Sequence, residues 1–179
     1  MTNYSTYYLT DVRLILLTKY NYKRLHDIDS ISRVDLNLSA PNSKYLVNTL
    51  AALSLLSNQG QISYNNLSGN KPVYSKAPTQ NHLTITSSIC GTYIFNFIEN
   101  LVSYYIPRIR FFKGFPSSNL NSFGNFTFVT RDLMVFPELE EELEIFYKLK
   151  DLKISFILKN QTETNPIFFY SLFGFRFLN

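Results

Sequence analysis

Ser32-Arg33-Val34-Asp35-Leu36-Asn37-Leu38 alternates polar with apolar residues at every step. A period of two puts Val34, Leu36 and Leu38 on one face of an extended chain and Arg33, Asp35 and Asn37 on the other, the pattern of a strand buried on one side only. The period changes on either side of it. Over residues 7–20 the apolar positions Tyr8, Val12, Ile15, Leu16 and Tyr20 follow helical spacing, and Asn21 is a suitable stop. After Pro41, Asn42 can cap a helix over 42–57 whose stripe is Leu46, Leu50 and Leu53, with Val47 and Leu56 alongside.

Further along, short strands are expected at 61–64 and 83–89. The polar segment 65–80 that joins them is too long for a tight hairpin and is a candidate contact arm. Residues 92–105 repeat apolar side chains at Ile94, Ile98, Leu101, Val102 and Tyr105, and Pro107 is expected to end this helix. Residues 125–130 alternate aromatic with polar, and 152–158 read as another strand. Asn165 before Pro166 makes an N-cap with proline in the first turn, and Gly174 can close the last helix. Helices and strands interleave irregularly, with hairpin-like pairs in place of repeated βαβ units. The expected fold class is α+β, a mainly antiparallel sheet with helices packed against it, in one domain over 1–179. Its N-terminal part, about 1–105, and C-terminal part, about 106–179, are not expected to be independent.

Composition narrows the chemistry. With 179 residues, 45% apolar and 17% charged, the chain has the makings of a packed core and holds no stretch long enough to span a bilayer. No membrane partner is expected. One cysteine and two histidines leave little for disulfides, metal sites or a cofactor. Phosphate loop, dinucleotide fingerprint and nucleophile elbow are all absent from the sequence, so the expectation is a non-enzyme; a small α+β enzyme is the weaker alternative. His26 and His82 read as surface residues, and Cys90 beside Gly91 as a small core cysteine. The N-terminal stretch, with Asp11 and Arg13 and no basic region before an apolar run, does not read as a secretory signal.

Charge points to a polyanion. Seventeen basic residues face 13 acidic ones, and five of the latter, Glu138, Glu140, Glu141, Glu142 and Glu144, share one short window that reads as a solvated helix face. The rest of the chain is distinctly basic. Arg108, Arg110 and Lys113 cluster just after the third helix, with Phe111, Phe112 and Phe115 interleaved and Gly114 at the turn. The cations can neutralise phosphates and the rings can stack on unpaired bases; in the other reading, the rings fill the core and the arginines are merely solvated.

The segment Ile106-Pro107-Arg108-Ile109-Arg110-Phe111-Phe112-Lys113-Gly114 closely resembles the PRIRDFRG stretch of the fifth large-subunit ribosomal protein, a universal family that binds 5S rRNA. Phe123-Gly124-Asn125-Phe126 resembles the family's RGNY, and Arg131 through Phe136-Pro137-Glu138-Leu139 its REQIIFPEI. Asp151-Leu152-Lys153-Ile154-Ser155 is similar to GLDITI, and Leu172-Phe173-Gly174-Phe175-Arg176-Phe177 to the closing helix with its F-P-F ending. Near the front, Tyr20-Asn21-Tyr22 resembles FNY, and Val34-Asp35-Leu36-Asn37-Leu38 resembles ITLNMG. Counting back from Glu99 without gaps sets Gly60-Gln61 on the family's GQ pair and Ser88 on a strand threonine. A competing register instead sets Ser68-Gly69-Asn70-Lys71-Pro72 on SGQKP.

This resemblance implies a structural, RNA-binding protein of the central protuberance. Asn37, Gln61 and Ser88 would contact 5S rRNA where it is present. Arg108, Arg110 and Lys113, singled out by their charge, are further candidate RNA contacts. The arm would reach weakly toward P-site tRNA through Lys71, Tyr74 and Lys76. Other implied partners are neighbouring ribosomal proteins and a small-subunit head protein across an intersubunit bridge. Departures from the family pattern remove charge. Phe123 replaces an arginine, Pro78 a basic residue, and the arm keeps only Lys71 and Lys76. Together with 16 Phe and 13 Tyr, which have A/T-rich codons, this favours a mitochondrial, organelle-encoded member over one from a plastid or an A/T-rich bacterium. An RNA-binding module outside the ribosome is the remaining alternative.

Overall fold

The computed structural model describes residues 3–22, 27–40, 43–58, 62–66, 83–159 and 165–178. The opening heptapeptide lies within strand β1 (Ile31–Ala40), where Val34, Leu36, Leu38 and Ala40 are buried and the intervening residues are partly or fully open to solvent. The other strands of its sheet are β2 (Ile62–Asn66), β3 (Leu83–Cys90), β5 (Phe126–Thr130) and β6 (Lys150–Leu158), in the spatial order β2-β3-β1-β6-β5. β2 and β3 run antiparallel with Ile62 opposite Ser87 and Asn66 opposite Leu83. A separate parallel ribbon pairs β4 (Phe115–Pro116) with β7 (Phe177–Leu178). The α+β class with a mainly antiparallel sheet is as expected. Two compact units divide the chain: Met1–Asp35, Ile89–Phe128 and Ile154–Asn179 form one, Leu36–Ser88 and Val129–Lys153 the other.

In the first unit, α1 (Asn3–Tyr7) and α2 (Arg13–Tyr20) are joined by a π-helical turn at Tyr8–Val12, where the Arg13 N–H donates to the Tyr8 carbonyl five residues back. The wide turn makes the buried stripe step by four, through Tyr8, Val12 and Leu16. Ile15, placed on that stripe by sequence, is instead exposed. Asn21 ends the helix in the left-handed region, φ 49°. The third helix shows a second π turn: α4 (Tyr93–Asn100) passes through Leu101–Tyr105 into α5 (Ile106–Arg108). Pro107 therefore does not end the helix where expected. The Ile106 N–H reaches back to Leu101, and the loosened turn accommodates a proline that has no N–H to place. The chain leaves the helix at Ile109, which is extended.

Phe126 sits at the centre of this unit's core. The rings of Phe115, Phe128, Phe156, Tyr170, Phe175 and Phe177 lie between 5.0 and 5.8 Å from it, and that of Phe156 is stacked nearly parallel, with an interplanar angle of 14°. Helix α8 (Pro166–Leu172) begins as read from sequence: Asn165 Oδ1 accepts the Ile167 N–H at 3.1 Å, and Pro166 occupies the first turn. Gly174 (φ 91°) follows, and a Cβ there would meet Val102 Cγ1 at 3.0 Å.

The second unit is built on α3 (Leu46–Ser57), which packs against α6 (Pro137–Glu140) and α7 (Leu143–Phe146). Its buried face is Thr49, Ala52, Leu53, Leu56 and Ser57, rotated from the expected stripe; Val47 is 69% exposed. A 3₁₀ turn at Ser43–Tyr45 leads into the helix, and packing against α6 and α7 selects the face that is buried. The Thr49 hydroxyl donates to the Tyr45 carbonyl at 2.7 Å, so a polar residue tolerates the buried face. Glu140, Glu141, Glu142 and Glu144 are exposed, in keeping with a solvated face.

Strand β2 runs two residues beyond its expected end, with Asn65 and Asn66 opposite Thr84 and Leu83. Those two residues belong to the strand rather than to the arm. Gln61, His26, His82 and the rest of the arm, including Lys71, Tyr74 and Lys76, lie outside the described residues. Cys90 is exposed and not in the core: it shares the parity of Thr84, Thr86 and Ser88, on the opposite side of β3 from buried Ile85, Ser87 and Ile89.

Candidate nucleic-acid interface

Two separate surfaces carry the residues singled out by sequence. In the second unit, β1 and β3 are neighbours; β1 turns Asn37, and β3 its even-numbered residues, away from the core. Asn37 and Ser88 are both half-buried there. The Thr86 hydroxyl donates to Asn37 Oδ1 at 2.5 Å, which fixes the oxygen as the acceptor and the NH₂ as the donor end of the amide. Thr84 and Thr86 complete a surface of short hydroxyl and amide side chains. Sequence reading does not single out Thr86, although the alternation over 84–90 carries the signal. Polar groups of this kind both donate and accept, as ribose 2′-hydroxyls and base edges require.

The second surface lies in the first unit, at the basic turn. Phe111 adopts φ 58°, an uncommon conformation for a bulky residue, and the residue is 95% exposed. Phe112, half-buried, meets Phe115 edge-on at 4.8 Å, and Phe115 is buried. The three rings divide: Phe112 packs against buried Phe115 while Phe111 faces solvent. Arg108, Arg110 and Lys113 are exposed. The turn is held by the Phe115 N–H, which donates to the Arg176 carbonyl at 2.8 Å. Gly114 (φ 141°) allows this approach, since a Cβ would come within 3.2 Å of the same carbonyl.

Behind the turn lies a cavity of about 390 Å³, walled by Ile106, Pro107, Ile109 and Phe112 and flanked by Lys113 and Arg176. Arg176 brings a cation from the C-terminal end of the chain, a placement no local pattern announces. Gly174, read from sequence only as a helix stop, also lines the cavity.

The family model for the C-terminal region of the ribosomal L5 proteins matches residues 83–177. The chain is 26% identical to large ribosomal subunit protein uL5m of Reclinomonas americana, with 91% of each chain covered. It is 26% identical to uL5c of Chara vulgaris, covering 96% of this chain and 90% of the relative. Identity to uL5 of Protochlamydia amoebophila is 27%, over 96% of this chain and 92% of the other.

Proposed function

The chain belongs to the ribosomal L5 family of structural, non-enzymatic proteins of the large ribosomal subunit, and from that premise we propose that it holds rRNA in the central protuberance. The observation that carries this reading is the polar strand face of the second unit, where Asn37 is oriented by Thr86 beside Ser88. A surface bearing hydroxyl and amide side chains suits non-helical RNA, whose base edges and 2′-hydroxyls are accessible. On this reading 5S rRNA, where present, lies across Asn37, Gln61 and Ser88. The basic turn, with Arg108, Arg110 and Lys113, neutralises phosphates of large-subunit rRNA.

The arm makes only transient contact with P-site tRNA, because Lys71 and Lys76 supply few phosphate contacts. Neighbouring proteins of the protuberance and a head protein of the small subunit complete the surroundings. Mitochondrial origin is the proposed location, supported by the likeness to a mitochondrial relative and the A/T-rich residue usage; plastid and bacterial relatives resemble the chain to a similar degree.

Affinity purification of the tagged protein from its native cells should recover large-subunit rRNA and ribosomal proteins, and electrophoresis of the extracted RNA should reveal whether a 5S species is among them. Recovery of a monomer free of rRNA would defeat the proposal. A set of RNAs without ribosomal proteins would favour a role outside the ribosome.

A further inference from the structure

We propose that the cavity behind the basic turn is a binding site for a single unpaired nucleotide of RNA. This inference rests on the RNA-binding reading and goes beyond it, since phosphate contacts alone need no cavity. Three observations converge. The cavity holds about 390 Å³, within the range of roughly 300–1,000 Å³ found for small-ligand sites. Apolar side chains and polar groups share its walls about equally: Ile106, Pro107 and Ile109 line it with Phe112, whose ring packs against buried Phe115. These apolar side chains suit the flat, weakly hydrated face of a base.

The charge lining the cavity is of one sign. Lys113 and Arg176 are its two charged residues, both exposed, and no acidic side chain among the described residues lines it. An unpaired nucleotide is a flat aromatic ring with polar edges attached to an anion, and the site presents matching features: apolar side chains for the face of the base, polar groups for its edges and two cations for its phosphate. The Phe115 to Arg176 backbone bond brings the two cationic segments together, so the site exists before ligand arrives.

The test compares two single-stranded probes of equal length and charge, a dodecamer of adenylate and the same dodecamer of abasic ribose phosphates, by fluorescence anisotropy with the full chain at constant salt. The intact oligonucleotide should bind about tenfold more tightly than the abasic one, the scale of one stacked base. Ile109→Gln, which replaces an apolar side chain of the wall with a polar amide, should reduce that preference toward unity. Arg176→Gln should weaken binding of both probes. If wild-type protein binds the two probes equally, the nucleotide site is wrong while the RNA-binding reading survives. If it binds neither probe nor the large-subunit rRNA, both are wrong. If an oligoglutamate peptide of matched charge binds as tightly as the adenylate dodecamer, the cavity is a docking site for acidic protein segments and the nucleotide assignment is overturned.

Discussion

The two units of this protein reach a packed interior by different means. Among the described residues, the close ring pairs around Phe126 all fall in the first unit, where Phe115, Phe128, Phe156, Tyr170 and Phe175 share one cluster. The second unit buries mainly aliphatic side chains, among them Leu36, Leu38, Leu53, Leu56 and Leu139, with Phe136 and Phe146 as its buried phenyl rings. Rings gain from mutual orientation as well as from burial, by about 0.5–1.5 kcal/mol per pair. Aliphatic side chains gain from burial and dispersion alone. An aromatic cluster should therefore tolerate truncation least, and an aliphatic core should repack more readily.

The largest effect expected from this contrast is at Phe126. Phe126→Ala should destabilise the protein by about 3–5 kcal/mol, at or above the loss from Leu53→Ala in the second unit, for which about 2–5 kcal/mol is usual. Urea titration followed by circular dichroism compares the two. A Leu53 variant that is clearly the less stable would remove the distinction between the cores.

Next in size is a change that should touch RNA and leave both cores intact. Replacing Asn37, Gln61 and Ser88 together with alanine should weaken RNA binding by about 1–3 kcal/mol, the range for polar groups left without partners. Its unfolding midpoint should stay close to that of the parent. Unchanged affinity in filter binding would remove RNA contact from the strand face.

Gly174→Ala addresses how closely the first unit is packed at its C-terminal end. The added Cβ meets Val102 at 3.0 Å and the backbone there has φ 91°, so a loss of about 1–3 kcal/mol is expected. Thermal unfolding of this variant should fall below that of the parent; an unchanged midpoint would mean that the turn yields freely.

The smallest effect is at Tyr170. This side chain is fully buried, its hydroxyl lacks a partner of adequate geometry among the described residues although the Phe126 backbone is near, and burial pushes its ionisation well above the usual value of 10.0. A raised value means that the folded state keeps the proton longer than the unfolded state does. Its contribution to stability is therefore complete below about pH 10 and is lost progressively above it. Tyr170→Phe should change stability by no more than about 1 kcal/mol at neutral pH and should lessen the alkaline decline. Denaturant midpoints measured from about pH 8 to 11 test this, and parallel curves for parent and variant would show that Tyr170 plays no part in it.

Local spacing made much of the framework legible. The alternation over 32–38 marked the open and buried faces of β1, and Asn165-Pro166 marked the start of α8 with its cap, because a strand's parity and a helix's first turn depend on adjacent residues. Phase was harder to read wherever a turn departed from 3.6 residues. The π turns displaced Ile15 from its stripe and carried the third helix past Pro107, while in α3 the packing against α6 and α7 left Val47 facing solvent.

By itself, the sequence determined which residues alternate, which cap, and which cations cluster at 108–113, since each of these is settled within a few bonds. It also carried the family likeness, through motifs spread along the chain. Tertiary structure decided which of three neighbouring phenylalanines stays outside, that Thr86 holds the Asn37 amide, and that Arg176 meets Lys113 at one cavity. The physical reason is that burial and charge proximity are set by residues far apart in the chain, and only the folded backbone brings them within reach of one another.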